Sequence, residues 1–385
     1  MHRRPVALLG LLLACGSDPN DAPTQGCSAC GPGLTCESNQ CKTPARFLVT
    51  SQGGPVVAAM QVWTVVWTGD ESVGAQVDTF NKRVLASSYY TDSMSEYGVG
   101  AGTAHGVIVL GAPPIAVDDA FYDTTMGQLI GKTSTSGETF GTLGANTVVT
   151  FVIPISTIEP IGTSYHTETG VTFPATGGAI TIPYIVLRQD PVGFVSDFDY
   201  LTWTQSHELT ETASDPHPSK DEGWLNSDLD VLGEIADLCN DTRVKLSLGG
   251  MTYTLTRVYS AAKAAARLGD PCVPALSIPY ENVEMSPLDL TVPKGLNKTA
   301  TLHLHAYSLG ATTAVHWSIY SFDPSYTLTP SSGTIVPGGD IAVVVKRTGT
   351  TTQNPTALNL WVTDTATPNA TIPNAESFSA LTVGN

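Results

Sequence analysis

The segment Ser206-His207-Glu208-Leu209-Thr210-Glu211 carries the residue types and spacing that point most directly to chemistry. On a helix, His207 and Glu211 stand four residues apart and share a face. An imidazole and a carboxylate in that geometry can hold a zinc ion. Glu208 lies beside them, in the place of a general base that takes a proton from a metal-bound water. The pattern is that of His-Glu-x-x-His with Glu211 where the second histidine would stand. That exchange makes the site more negative and less selective for zinc. The competing reading is that His207 and Glu208 only cap and brace their helix.

A third ligand has to come from another part of the chain. Gly233-Glu234-Ile235-Ala236-Asp237-Leu238-Cys239 offers Glu234 and Asp237, and we assign Glu234. His217, His105 and His166 are the other candidates. The expectation is therefore a zinc site of His207, Glu211 and Glu234, with Glu208 catalytic. Asn226, Asp228, Asp230, Glu234 and Asp237 also follow a calcium-loop register, which makes calcium the alternative cation. Val231 stands where that loop wants glycine, and Asp237 where it wants glutamate, so a solvated acidic loop is the stronger account. No Gly-x-Ser-x-Gly elbow and no phosphate-binding glycine loop is present.

Strands and helices must position these groups. Val62-Trp63-Thr64-Val65-Val66-Trp67 reads as a strand, as do Phe47-Leu48-Val49 and residues 105–110, 147–153 and 180–187. Val73, Val77, Phe80 and Val84 recur at spacings of three and four, which predicts a helix with one buried stripe. A second helix is expected over 197–213, opened by Ser196 and Asp199 in a capping-box arrangement and closed before Asp215-Pro216. A third spans 260–268, on a run of alanines. Strands interleaved with helices over 45–275 predict an α+β domain with a mixed sheet. It is zincin-like in that its His-Glu helix follows a strongly apolar strand. From 278 to 385 short alternating strands separated by Pro-Ser-Ser-Gly and Pro-Gly-Gly-Asp turns predict an all-β immunoglobulin-like sandwich. His303, His305 and His316 fall in that sandwich and read as structural.

The first residues set the compartment. Met1-His2-Arg3-Arg4 precedes a short apolar run ending Leu12-Leu13-Ala14-Cys15, which reads as a signal peptide over 1–14. Leu12-Leu13-Ala14-Cys15 resembles a bacterial lipobox, so Cys15 is the expected lipid attachment site and the membrane an expected partner through that lipid. The expected location is extracytoplasmic, tethered at the outer membrane or cell surface. Lys and Arg number 18 against 35 Asp and Glu, a net charge of −17, which argues against nucleic acid as a partner. Seven cysteines leave six beside Cys15: Cys27, Cys30, Cys36 and Cys41 crowd together, and Cys239 and Cys272 stand apart. In an oxidising compartment these read as disulfides, with the pairing of the first four open. A four-thiolate zinc knuckle is the minority reading. Residues 15–44 are rich in Gly, Pro, Ser, Asp and Asn, and are expected to be a lipidated, Cys-rich flexible tether carrying one small disulfide knot.

The chain also resembles the EXORDIUM-like, or phosphate-induced protein, family and its bacterial relatives over about residues 47–275. The likeness rests on Gly53-Gly54-Pro55-Val56, Val66-Trp67-Thr68-Gly69-Asp70 and Tyr97-Gly98-Val99-Gly100. It rests most on Ser206-His207-Glu208-Leu209-Thr210-Glu211 with Asp215-Pro216, and on Glu234-Ile235-Ala236-Asp237-Leu238-Cys239. The resemblance implies an extracellular or wall-associated protein and does not by itself imply catalysis. Two functions follow as expectations. One is a metal-dependent hydrolase of peptidase type. The other is a non-enzymatic surface protein with a structural cation, binding a protein, peptide or polysaccharide.

Overall fold

A computed structural model of the chain describes residues 30–44, 48–141, 143–159, 164–172, 178–189, 197–227, 233–239, 243–276, 281–309, 314–321, 323–350, 356–364 and 377–383. The expected features at Cys15, Cys27, Ser196, Asp228 and Asp230 lie outside them.

Strand β1 (Gln61–Trp67) is buried at every position but its first, and β3 (Thr147–Ile153) at every position. A strand with no exposed face belongs in the middle of a sheet covered on both sides. That is where they lie. With β2 (Thr103–Leu110), β4 (Tyr165–Thr172) and β5 (Ala179–Arg188) they form one sheet in the order β2-β1-β3-β5-β4. β1, β2, β3 and β5 are parallel, and β4 runs antiparallel along the edge beside β5. The parallel links are helical: α1 (Glu71–Leu85) and α2 (Ser88–Met94) join β1 to β2, and α3 (Asp119–Leu129) follows β2.

Side chains alternate between two cores, as the period of two requires. Val62 and Val66 of β1, Val148 and Val152 of β3, and Ile185 and Leu187 of β5 face α1 and α4 (Asp197–Ser214). Trp63, Val65, Trp67, Phe151 and Tyr184 face α3, where Tyr122 and Met126 receive them. The stripe Val77, Phe80 and Val84 of α1 is buried as its spacing predicts.

Two threonines interrupt the first of these apolar faces, Thr64 on β1 and Thr150 on β3. Each is taken up by a helix. Gln205 of α4 donates to Thr150 Oγ1 (3.0 Å) and to Asn81 Oδ1 (3.1 Å), and Asn81 of α1 donates to Thr64 Oγ1 (3.4 Å). All four are buried. A buried polar group left unsatisfied costs about 1–3 kcal/mol, so this chain fixes the rotation of α4 on the sheet. β6 (Arg243–Leu248) and β7 (Met251–Thr256) form a hairpin against the other side of α4. There Thr202 donates to Thr254 O (3.0 Å), and Ser206 Oγ accepts from Thr256 N (2.8 Å).

The exit of α4 is held by close backbone approaches. Gly223 N donates to Asp215 Oδ1 (2.8 Å), and a Cβ on Gly223 would lie 2.0 Å from Ser214 O. Gly54 N donates to Glu222 O (2.9 Å), and a Cβ there would lie 2.0 Å from Asp221 O. Both positions require glycine, which accounts for Gly53-Gly54-Pro55 standing so far in sequence from the loop it holds.

After the short helix α5 (Ala261–Ala266), the C-terminal strands β8 (Glu281–Ser286), β9 (Asp289–Val292), β10 (Thr299–Ser308), β11 (Val315–Ser321), β12 (Tyr326–Thr329), β13 (Ser332–Ile335), β14 (Asp340–Arg347), β15 (Thr356–Asp364) and β16 (Ser377–Val383) make two sheets. Their orders are β8-β10-β14-β12 and β9-β16-β15-β11-β13. Leu302, Leu304, Val343 and Val345 from the first share one core with Trp317, Ile319, Leu358 and Leu360 from the second. The molecule is thus mixed α and β, rich in strand, with a two-sheet sandwich at its C-terminal end.

Residues 30–44 fall in the stretch expected to be a flexible tether around a small disulfide knot. They form a small hairpin, 35–37 against 40–42, closed by the Cys30–Cys41 disulfide. Arg267 ties it to the first domain through Thr43 O (2.7 Å) and Glu37 (2.9 Å), and Ser308 N of the sandwich donates to Pro32 O (3.2 Å). Hydrogen bonds to two domains hold this stretch in place despite its polar, Gly-containing composition.

Candidate metal centre

The rotation of α4 fixed by Gln205 and Ser206 turns Glu208 and Glu211 into the protein, beneath the edge strand β4. His166 of β4 meets them: its Nδ1 lies 3.6 Å from Glu208 Oε2 and 3.8 Å from Glu211 Oε2. The other ring nitrogen, Nε2, lies 3.1 Å from Asp215 O and 3.3 Å from Glu234 Oε1. His207 Nε2 lies 3.1 Å from Glu211 Oε1 and 3.3 Å from Asp237 Oδ1. Asp237 N donates to the same Glu211 Oε1 (3.1 Å).

Two groups emerge whose ligand atoms all lie within 4.8 Å of one another: His166 with Glu208 and Glu211, and His207 with Glu211 and Asp237. A tetrahedral ion with bonds near 2.1 Å holds its ligands about 3.4 Å apart, so a modest contraction brings either group to bonding distance. The buried His166, Glu208 and Glu211 have a geometry that can hold a metal ion.

The structure therefore brings together His207, Glu208, Glu211 and Glu234, and with them His166 and Asp237, two of the alternative ligands that the sequence offered. Glu234 is not beside His207 but against the far nitrogen of His166. A carboxylate there orients a ligating imidazole from behind. Asp237, three residues on, takes the place expected of Glu234. The calcium-loop register is not realised where it is described, because Glu234 and Asp237 turn to different histidines and Asn226 donates to Leu48 O (2.9 Å). His217 lies near Glu168, and His105 pairs with Glu138 and stacks on Trp63, both away from the cluster.

The electrostatics are those of too many acids in one place. Burial opposes charge on His166, yet Glu234, Glu208 and Glu211 outweigh it and hold its pKa well above the usual imidazole range. Burial likewise opposes charge on His207, and Glu211, Asp237 and Glu208 prevail. Burial raises Glu211 well above the carboxylate range, and the charges of Glu234 and Asp237 add to that against the pull of His207. Burial also raises Glu234, with His166 opposing, and pushes Asp215 up to about 6. Among the described residues, the ion pairs to Glu208, Glu211, Glu234 and Asp237 come from these two histidines.

The two halves differ in access. Side-chain exposure is 4% at His166 and 3% at Glu211, against 12% at His207 and 17% at Asp237. The His207 half opens to solvent. Trp203, one turn before His207, stands edge-on to it at 6.2 Å, with Arg243 over the indole at 4.3 Å. These side chains form an aromatic, cationic rim beside the open half.

No family model matches the chain, and no curated protein matches it. Solved structures give partial likenesses. WR4, a C. elegans member of the MSP family, is 12% identical and covers 26% of this chain and 97% of its own, with a TM-score of 0.23. SSP-19, an MSP-domain protein like family member in Caenorhabditis elegans, is 18% identical, covering 26% of this chain and 99% of its own, with a TM-score of 0.22. The CsuC-CsuE pre-assembly complex of Csu pili from Acinetobacter baumannii is 11% identical, with 26% of this chain and 56% of that one covered and a TM-score of 0.20. Likenesses of this size say nothing about the site.

A disulfide secures the second acidic arm. Asp237 opens a single 3-10 turn, Asp237–Cys239, and Cys239 is bonded to Cys272 across 33 residues. Closing a loop of that length removes about 3–4 kcal/mol of unfolded-state entropy. Replacing Cys239 and Cys272 together by serine is expected to lower stability by about 2–4 kcal/mol in denaturant titration. It should also weaken any ion that Asp237 holds, and an unchanged midpoint would dismiss the structural role. The Cys30–Cys41 and Cys239–Cys272 bonds belong to an oxidising, extracytoplasmic compartment. No helix among the described residues is long and apolar enough to cross a membrane.

Proposed function

We propose that this chain is a metal-dependent hydrolase, acting on peptide bonds outside the cytoplasm and tethered by lipid on Cys15. His207, Glu211 and Asp237 would hold the cation, which would supply an activated water, and Glu208 is the residue placed to accept that water's proton. The observation that carries this reading is the convergence of imidazole and carboxylate ligand atoms within 4.8 Å of one another at buried and half-buried positions. Burying acids without a compensating cation is costly, and folds tolerate it where it serves a function.

The zincin-like reading is supported by the order of elements: the His-Glu helix α4 follows the apolar strand β5, beside an edge strand that contributes His166. Zinc is the cation proposed for the site. Extracytoplasmic peptides fit the open His207 half, whose rim is formed by Trp203 and the Arg243 guanidinium stacked on it.

Elemental analysis of the full-length protein purified without chelator tests the reading. Bound zinc at a stoichiometric level, reduced in His207→Ala, is the expected result. A protein with no transition metal, and none taken up on dialysis against zinc, would end the hydrolase proposal.

A further inference from the structure

The geometry points to a second cation in the same centre: His166, Glu208 and Glu211 hold one divalent ion, His207, Glu211 and Asp237 hold another, and the Glu211 carboxylate bridges the two. This inference rests on the hydrolase reading for its chemistry, but its evidence is independent of catalysis.

Glu211 is the first argument. Its two oxygens face opposite ways: Oε1 looks to His207 Nε2 (3.1 Å) and Oε2 to His166 Nδ1 (3.8 Å). A carboxylate that served one ion would have no reason to present its second oxygen to a separate imidazole and carboxylate. Bridging by one oxygen each is the arrangement that spaces paired ions at about 3.5–4 Å in hydrolytic centres.

Charge is the second argument. Glu208, Glu211, Glu234 and Asp237 written as anions, with His166 and His207 neutral as ligands must be, give a cluster of −4. One divalent ion leaves −2 on these four carboxylates and two cancel it, the nearby Asp215 carboxylate being held by Gly223 N. Each half is complete in donor type, with one imidazole nitrogen and two carboxylates, a set that suits zinc or manganese.

The third argument is support from behind. His166 offers Nδ1 to the acids while Nε2 is met by Asp215 O and Glu234. That contact fixes the tautomer in which Nδ1 is free to ligate. Nothing about His166 suits a purely structural residue: it stands on an edge strand, buried, with carboxylates on both sides of the ring.

Glu208 has one oxygen for the deep ion and one for a proton, so the second ion is compatible with its role as base. The pair would add a second positive centre at which the attacking water and the developing oxyanion are stabilised together.

The test uses the full-length protein, stripped by chelator and titrated with Mn²⁺ and separately with Zn²⁺. Uptake is expected to saturate at two ions per chain. The Mn²⁺ form should show the spectrum of an exchange-coupled pair by electron paramagnetic resonance. His166→Ala should saturate at one ion and give the signal of isolated Mn²⁺. Saturation of the parent protein at one ion per chain overturns the pair and leaves the hydrolase proposal standing. Two ions without magnetic coupling overturn the bridge. Two coupled ions with no hydrolysis of any peptide uphold the pair and defeat the hydrolase. Since the parent protein supplies the stoichiometry and the coupling, a variant that failed to fold would not spare the inference.

Discussion

Glu208→Gln is expected to slow peptide hydrolysis about 10²–10⁴-fold, the range that a positioned general base supplies. That is about 3–5 kcal/mol of barrier. Glutamine keeps the volume and the hydrogen-bonding reach of the side chain at this buried position. It removes the one property a base needs. The ion held by His207, Glu211 and Asp237 should remain, because Glu208 belongs to the other group of ligand atoms. The deep ion should bind more weakly, since an amide oxygen replaces an anionic one. Turnover on a pooled fluorogenic peptide library, read beside metal content and thermal midpoint, checks all of this. Undiminished turnover would remove Glu208 from proton transfer, and loss of fold would show in the midpoint rather than in the rate alone.

The parts of this fold that are legible in the sequence are those whose signal is local. β1 and β3 are apolar runs, and α1 carries a stripe at helical spacing; each lies where its pattern puts it. α4 is found within a residue of its expected end because Pro216 stops it. The elements that escape have weak local patterns. β4 reads Tyr-His-Thr-Glu-Thr-Gly-Val-Thr, a strand with a polar face because His166 on that face meets the acids of α4 and Glu168 meets Ser219 and Lys220. Its identity depends on pairing with β5, where His166 stands opposite Ile185. Only that pairing carries His166 to Glu208 and Glu211, which lie far along the chain. α3 also escapes, although Asp118 caps it, accepting from Phe121 N at 2.8 Å. An Asp three residues before an aromatic is the available signal.

The choice between Glu234 and Asp237 cannot be made from spacing. The 3-10 turn Asp237–Cys239 and its disulfide send Asp237 to His207, while Ile235 and Ala236 between the two acids are buried and hold Glu234 back against His166. The decision lies in the backbone path, which composition does not encode. The Cys-rich segment has the same lesson in reverse. Its composition predicts a flexible tether around a small disulfide knot, and long-range hydrogen bonds from Arg267 and Ser308 hold residues 30–44 in place.

Glu211→Gln is expected to reverse the order of stability between parent and variant, depending on whether metal is present. In the chelated protein, Glu211 is held well above its ordinary pKa by burial and by Glu234 and Asp237, and His207 does not fully offset this. A carboxylate with a raised folded pKa loses stability for the protein as the pH climbs through the ordinary carboxylate range towards that value, because the unfolded chain ionises first. Replacing it with a neutral amide of the same shape removes that loss. The stripped variant should therefore be more stable than the stripped parent at pH 8, because the folded parent holds its proton more tightly than the unfolded chain does. The gain should fade as the pH drops into the ordinary carboxylate range. Asp237 N keeps an oxygen to donate to, so little hydrogen bonding is lost. With zinc at about a hundred times its dissociation constant the parent gains about 2.7 kcal/mol, and the variant, lacking the ligand shared by both halves, gains little. Thermal midpoints with and without zinc, at pH 5 and pH 8, give the comparison directly. A variant less stable than the parent in chelator at pH 8 would mean that Glu211 is there for the fold. The crossing of the two proteins on adding zinc would mean that the chain tolerates an overcrowded cluster of acids for the ion it binds.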